Sequence, residues 1–367
     1  MTIPIISPGP GRLTVDLDAL ARNFHKLSAA GAPGECAAVI KANAYGLGVG
    51  PVARRLFAEG CRRFFVASSG EGAELRGFLP ESDIYVFEGA RPGGEGTLLK
   101  ARLTPVLNSI EQIKGWRTAA PSTRCVVHID TGMSRLGLSA SEVEYVAAES
   151  LLNECDVEYV ITHLACADDP SHPLTGEQIE RFNALRAKLP DAKTSIGSSP
   201  GIMLDASCRG DLVRPGIALY GGNPFVSGDN PMETVVMVES LILQIREVTE
   251  PLTVGYGASY TANSPARLAT VGTGYADGYP RTLGNCGVAF LAGRKVPVVG
   301  RVSMDLITLD VSAVPPECAQ AGEFVELVGP NVPLDDVARA AGTISYEILT
   351  GLGRRWERRY VPNDTEP

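Results

Sequence analysis

Eight short apolar runs rich in β-branched residues, at 36–40, 63–67, 84–87, 103–107, 125–129, 158–162, 194–196 and 212–219, alternate with segments of helical spacing. Val52-Ala53-Leu56-Phe57, Ile110-Ile113-Trp116 and Ile179-Phe182-Leu185-Leu189 are examples of the latter. Strands separated by that much chain cannot pair as hairpins; they need helical crossovers, and such strands lie parallel with both faces covered. Eight strand and helix units in about 220 residues match the size of a closed (β/α)8 barrel of the TIM type. An open doubly wound sheet is the rival, but no G-x-G-x-x-G follows the first run to support a dinucleotide-binding form of it.

At 223–231 the composition shifts to Pro, Gly, Ser and Asn, and from 235 to 245 the apolar period becomes two. Further strand-like runs at 267–271, 288–291, 296–299, 303–311 and 324–328 predict a mainly antiparallel β domain, with helices near 334–339 and 346–349. The basic run Arg354-Arg355-Trp356-Glu357-Arg358-Arg359 reads as a solvated edge. The expected domains are a barrel at 12–228 and a C-terminal β domain at 229–367, with residues 1–11 able to pack with the latter.

A net charge of −9 argues against nucleic acid and anionic membrane surfaces, which demand clustered Lys and Arg. The first residues carry no basic start followed by an apolar stretch, and no run approaches the roughly 18 apolar residues of a membrane span. A cytoplasmic protein acting on small solutes is therefore expected. The eight cysteines form no C-x-x-C pair, so neither a metal site nor a redox dithiol is indicated.

In a parallel barrel the reactive groups sit at the carboxyl ends of the strands. Here the first run ends at Lys41, the fifth leads into His128-Ile129-Asp130-Thr131-Gly132-Met133-Ser134-Arg135, the sixth into His163, the seventh into Gly197-Ser198-Ser199, and the eighth carries Arg214-Pro215-Gly216. All five should face one mouth. A lysine leaving an apolar run has a desolvated amine, which makes it a nucleophile able to form a Schiff base. Ser199 before Pro200 reads as a helix start with free N–H groups, and Gly216-Ile217 lets main chain approach closely, the parts of a barrel phosphate site. A phosphate site facing a lysine suggests pyridoxal 5′-phosphate.

The segment Ala38-Val39-Ile40-Lys41-Ala42-Asn43-Ala44-Tyr45-Gly46 resembles the cofactor-lysine signature of the fold-type III alanine racemases. Val254-Gly255-Tyr256-Gly257-Ala258-Ser259-Tyr260 resembles their catalytic-tyrosine stretch. Gly274-Tyr275-Ala276-Asp277-Gly278-Tyr279 and Gly300-Arg301-Val302-Ser303-Met304-Asp305 resemble two further site segments. The resemblance spans nearly the whole chain.

It implies racemisation of L- and D-alanine, feeding peptidoglycan, by a homodimer whose sites are shared between subunits. Lys41 is then the Schiff-base lysine and one proton-transfer base, and Tyr256 of the partner subunit the other. Two bases are needed because the proton leaves one face of a planar carbon and arrives on the opposite one. A phenol, which ordinarily ionises at roughly 10, acts as a base near neutrality only beside cations, and Arg135 is the cation nominated. The resemblance further assigns Arg135 to the cofactor and the substrate carboxylate, Arg214 to the pyridine nitrogen, and His163 to orienting Arg214. Tyr45, Ser199, Gly216 and Ile217 fall to the phosphate, Tyr275 and Met304 to the substrate, and Asp305 to orienting nearby tyrosines.

Two departures stand out. The family's C-terminal phosphate-binding tyrosine has no counterpart at 350–355. His128 stands where many members carry a carbamylated lysine, so Arg135 is expected to be positioned by a bound anion, a neighbouring carboxylate or His128 itself. A serine racemase, a decarboxylase of the same plan and a non-catalytic barrel that binds the cofactor are the alternatives.

Overall fold

The computed structural model describes residue 9 and residues 11–362 and divides the chain into two units. Among the described residues, one comprises 20–219 and 223–233; the other takes 9, 11–19, 220–222 and 234–362. The remaining residues of the expected second domain, 1–8, 10 and 363–367, lie outside the described set.

In the first unit seven strands form one parallel sheet in chain order: Ala38–Val39, Arg63–Val66, Asp83–Val86, Thr104–Leu107, Arg124–His128, Asp156–Ile161 and Lys193–Ser195. An eighth, Leu212–Val213, pairs in parallel with Glu35–Cys36, the start of the first strand. On its other side the Asp211 N–H donates to the Thr194 carbonyl at 2.8 Å and the Arg214 N–H to that of Gly197 at 2.7 Å, so hydrogen bonds run round the full ring. The expected closed barrel is present. Its first four strands are buried along almost their whole length, as in Thr104–Leu107, because helices cover one face and side chains fill the interior. Three crossover helices begin with serine caps: Ser68 and Ser109 accept N–H bonds from Glu71 and Gln112, and Ser139 forms a reciprocal box with Glu142.

The eighth strand is much shorter than its apolar run at 212–219. Pro215 has no N–H to continue a ladder, and from Ile217 to Tyr220 the chain turns into a 3-10 helix. No helix among the described residues is long and apolar enough to cross a membrane.

The second unit is built on the 13-residue strand Val236–Val248. Its first half alternates buried and half-buried residues, the period-two pattern of a one-sided sheet. It pairs antiparallel with Gly11–Asp16, Phe324–Val328 and Ala266–Val271; Ile307–Asp310, Val288–Leu291 and Arg294–Pro297 extend the sheet. This is the expected mainly antiparallel domain. Three expectations change. The strand Gly11–Asp16 belongs to this sheet rather than to the barrel, because its alternating burial fits a one-sided sheet. The run at 303–311 is a strand only over Ile307–Asp310, since the residues before it form a loop. The basic run ends in an edge strand, Glu357–Val361, paired in parallel with Gly11–Asp16, its charges suiting an edge that must not recruit further strands. Arg355, however, is not a free solvated charge.

Candidate active site

Lys41 follows directly on the first barrel strand, and the chain after it does something sequence patterning does not foretell. Ala42, Asn43, Ala44 and Tyr45 all have φ between 53° and 55°, a left-handed turn, before Gly46 at 85°. Each non-glycine residue in that conformation costs about 1–2 kcal/mol, so the turn persists only because its surroundings hold it. Glu71 is the main clamp: one carboxylate oxygen accepts the Ala42 N–H and the other that of Ala67, both at 2.8 Å. Asn43 adds a second, its side-chain oxygen accepting the Val49 N–H at 2.8 Å. The Lys41 pKa is lowered, first by burial and then by the Arg135 charge, with Glu71 opposing.

Tyr45, nearly fully buried, brings its hydroxyl against Gly216 so closely that a Cβ there would lie 2.3 Å from it. Any side chain at 216 would displace that hydroxyl. Ser199, also buried, accepts the Gly216 N–H at 2.9 Å and the Ala218 N–H at 3.3 Å through Oγ. Its own hydroxyl proton remains for an anionic oxygen. Tyr45, Ser199 and Gly216, separate in sequence, thus meet at one place, and the backbone of Ile217 follows directly.

Arg214 is wholly buried, and burial lowers its pKa to about 10. Its Nη2 donates to the carbonyls of Thr162 at 2.7 Å and Ile196 at 3.5 Å, and Nη1 donates to Ser195 Oγ. These groups hold the guanidinium. Parallel strand ends present carbonyls to a neighbouring strand's side chain, which suits a buried guanidinium. His163 is held neutral, its pKa lowered to about 3 by burial and then by the charges of Arg214, Arg135, His128 and Lys41. That set of mutual influences gathers five of the residues expected at the barrel mouth.

At His128, Nδ1 lies 2.8 Å from Asn108 Oδ1. The Asn108 amide nitrogen donates to the carbonyls of Phe87 at 2.9 Å and Val106 at 2.8 Å, so its oxygen must accept from the ring. Nδ1 therefore carries the proton and Nε2 offers a lone pair. Burial, then the Arg214 charge, lowers the His128 pKa to about 4, leaving the ring neutral. The carboxylate near Arg135 acts on its loop: Asp130 Oδ1 accepts the N–H groups of Gly132 and Met133 at 2.9 Å and Ser134 at 3.1 Å. Arg135 itself is exposed.

In the other unit, Tyr256 opens a short turn between Gly255 and Gly257, with φ of 70° and 71°, and is 72% exposed. A Cβ on Gly257 would lie 3.0 Å from the Arg301 guanidinium. Tyr275 and Met304 sit on adjoining loops joined by main chain: the Tyr275 N–H donates to Ser303 O at 3.1 Å and the Ala276 N–H to Met304 O at 2.9 Å. Asp305 pairs with Arg355 at 2.8 Å instead of serving a tyrosine.

Sequence reasoning missed Glu71, Asn108, Ser195 and Arg355. Asn108, a polar residue directly after an apolar barrel strand, was legible by the strand-end rule that found Lys41; Ser195, inside its run, was not.

Fold and site together define a two-domain enzyme whose barrel carries a desolvated lysine after its first strand and a tight cluster of Tyr45, Ser199 and Gly216. The description "Alanine racemase, N-terminal domain" matches residues 15–224, and "Alanine racemase, C-terminal domain" matches residues 235–360. The alanine racemase of Rhodospirillum rubrum is 48% identical over 355 residues, 95% of each chain. The Bartonella henselae alanine racemase, solved with covalently bound pyridoxal phosphate, is 39% identical, covers 96% of this chain and 100% of its own, and superposes with a TM-score of 0.92. The biosynthetic alanine racemase of Pseudomonas aeruginosa is 35% identical, covers 96% and 99%, and has a TM-score of 0.89. The chain belongs to the alanine racemase family.

Proposed function

We propose that this protein interconverts L- and D-alanine using pyridoxal 5′-phosphate held in the barrel mouth, with Lys41 and the Tyr256 of a second copy exchanging the α-proton on opposite faces. The observation that carries the reading is the meeting of Tyr45, Ser199 and Gly216 in a cradle too tight for any Cβ, in the same barrel as a lysine whose amine is desolvated. These residues fit the cofactor. Ser199 Oγ, through its hydroxyl proton, and the backbone N–H of Ile217 suit phosphate oxygens, the Gly216 N–H being held by Ser199 Oγ, and Lys41 suits the carbonyl end.

When bound, the cofactor supplies an electron-withdrawing π system that makes the α-proton of an amino acid removable. Everything else falls to the chain. Burial lowers the Lys41 pKa and so raises the fraction of its Nζ that is neutral and able to take a proton. Arg214, assigned to the ring nitrogen, is a fixed donor that keeps its proton at working pH, which disfavours chemistry needing a fully protonated ring. Neutral His128 and His163 add no charge to a mouth already holding Arg214 and Arg135. Arg135, Tyr275 and the Met304 N–H are assigned to the substrate carboxylate, and Arg135 also to the cofactor. A homodimer, a cytoplasmic location and supply of D-alanine to peptidoglycan belong to the same proposal.

The test is an absorbance spectrum of the purified protein before and after borohydride, with mass spectrometry of the modified peptide and an assay of D-alanine formation. A visible chromophore, modification at Lys41 and racemisation are expected. Colourless protein that takes up no added cofactor would refute the reading.

A further inference from the structure

Asp277 is fully buried, and both its oxygens are taken by Arg355: Nε donates to Oδ1 at 2.5 Å and Nη2 to Oδ2 at 2.8 Å. The same guanidinium reaches Asp305 Oδ1 through Nη1 at 2.8 Å and Nη2 at 2.9 Å. Asp277 ends the turn that begins at Tyr275, and Asp305 follows Met304 directly. The two loops already touch, since a Cβ on Gly274 would lie 2.3 Å from Ser303 O and 2.4 Å from Met304 O. Two carboxylates on touching loops repel unless a cation sits between them, and a planar fork with several donors fixes their separation as well as their charge. The segment that delivers the cation is anchored to the same turn, because the Gly353 N–H and the Trp356 indole N–H both donate to the Asp277 carbonyl, at 3.1 and 2.7 Å.

We propose that Arg355 is a positioning residue for substrate binding: it locks the Tyr275 and Met304 loops at the one separation that lets both meet the substrate carboxylate. The inference rests on the assignment of Tyr275 and Met304 made above. Without Arg355 the loops keep two uncompensated carboxylates beside the place assigned to an anionic group, so binding suffers twice.

The experiment compares holoenzymes of wild type, R355Q, R355K and Y275F by steady-state racemisation in both directions, inhibition by propionate, cofactor absorbance and melting temperature. Propionate has the carboxylate of alanine and no amine. R355Q is expected to raise KM for both alanine enantiomers, and the propionate inhibition constant, by about tenfold. Its kcat and chromophore should stay within about twofold of wild type, a split that general loss of structure would not give. R355K, which keeps the charge and loses the fork, should fall in between. A folded R355Q with unchanged KM overturns the inference. Should R355Q not fold, R355K decides: a raised KM at an unchanged melting temperature supports the inference and an unchanged KM overturns it. If Y275F raises KM and the Arg355 variants do not, the inference alone fails; if none of them does, the assignment of Tyr275 fails with it.

Discussion

The barrel mouth and the loops of the β unit solve different problems. In the barrel Arg214 is buried and Lys41, His128 and His163 are half-buried at strand ends, and burial is the leading cause of the lowered pKa at all four. In the β unit Tyr256, Tyr275 and Met304 are 72%, 43% and 54% exposed and are placed by glycine turns, loop-to-loop hydrogen bonds and an arginine clamp. One region tunes protonation by removing water; the other holds positions and leaves the removal of water to whatever covers it.

The contrast breaks most visibly at the two bases. Lys41→Ala should abolish the chromophore and lower racemisation by about 10⁴-fold or more, whereas Tyr256→Phe should keep the chromophore and lose about 10²–10⁴-fold in rate. Absorbance and polarimetry on the same samples check both, and loss of colour in Tyr256→Phe would contradict the division of labour. Next comes Arg214→Gln. It leaves Thr162 O, Ile196 O and Ser195 Oγ without their cationic donor and should cost about 2–4 kcal/mol in urea unfolding, together with weaker cofactor retention. Asn108→Ala should be milder, about 1–2 kcal/mol, because it removes the acceptor that sets the His128 tautomer.

The contrast also predicts a pH dependence. Histidine ionises near 6.5 in an unfolded chain, but His128 and His163 do so only at about 4 and about 3 in the fold. Between those values the unfolded chain binds protons that the native chain lacks. Stability therefore rises with pH from about 4 to about 6.5, by about 1.4 kcal/mol per pH unit for each histidine, and levels off above. Urea midpoints across that range should show the slope, and His128→Asn should halve it, leaving the share of His163. A midpoint independent of pH would mean that the mouth is wetter than the geometry indicates.

What was legible in the sequence follows the same line. The barrel strands announced themselves because burial on both faces demands unbroken apolar runs; Lys41 and Ser199 stood out as polar residues just past the ends of two runs, and Arg214 as a charge inside one. The long strand Val236–Val248 was legible by its period of two. The left-handed turn at 42–45 was not, because Ala, Asn and Tyr carry no signal for positive φ and the clamp, Glu71, lies far along the chain. Arg355 was misread for a related reason: within a basic run one arginine looks like the next, and only the fold brings Asp277 and Asp305 to it. Local pattern finds elements and their ends. It does not find partners.

The central claim is that Lys41 and Tyr256 act in one site although they come from different copies of the chain. Mixing inactive Lys41→Ala and Tyr256→Phe proteins under conditions that exchange subunits tests it most directly, since a mixed dimer would carry one site with both bases intact. Activity should return to about a quarter of wild type after random exchange, half the dimers being mixed with one working site each. A mixture as inactive as its parents, with exchange verified, would contradict the account.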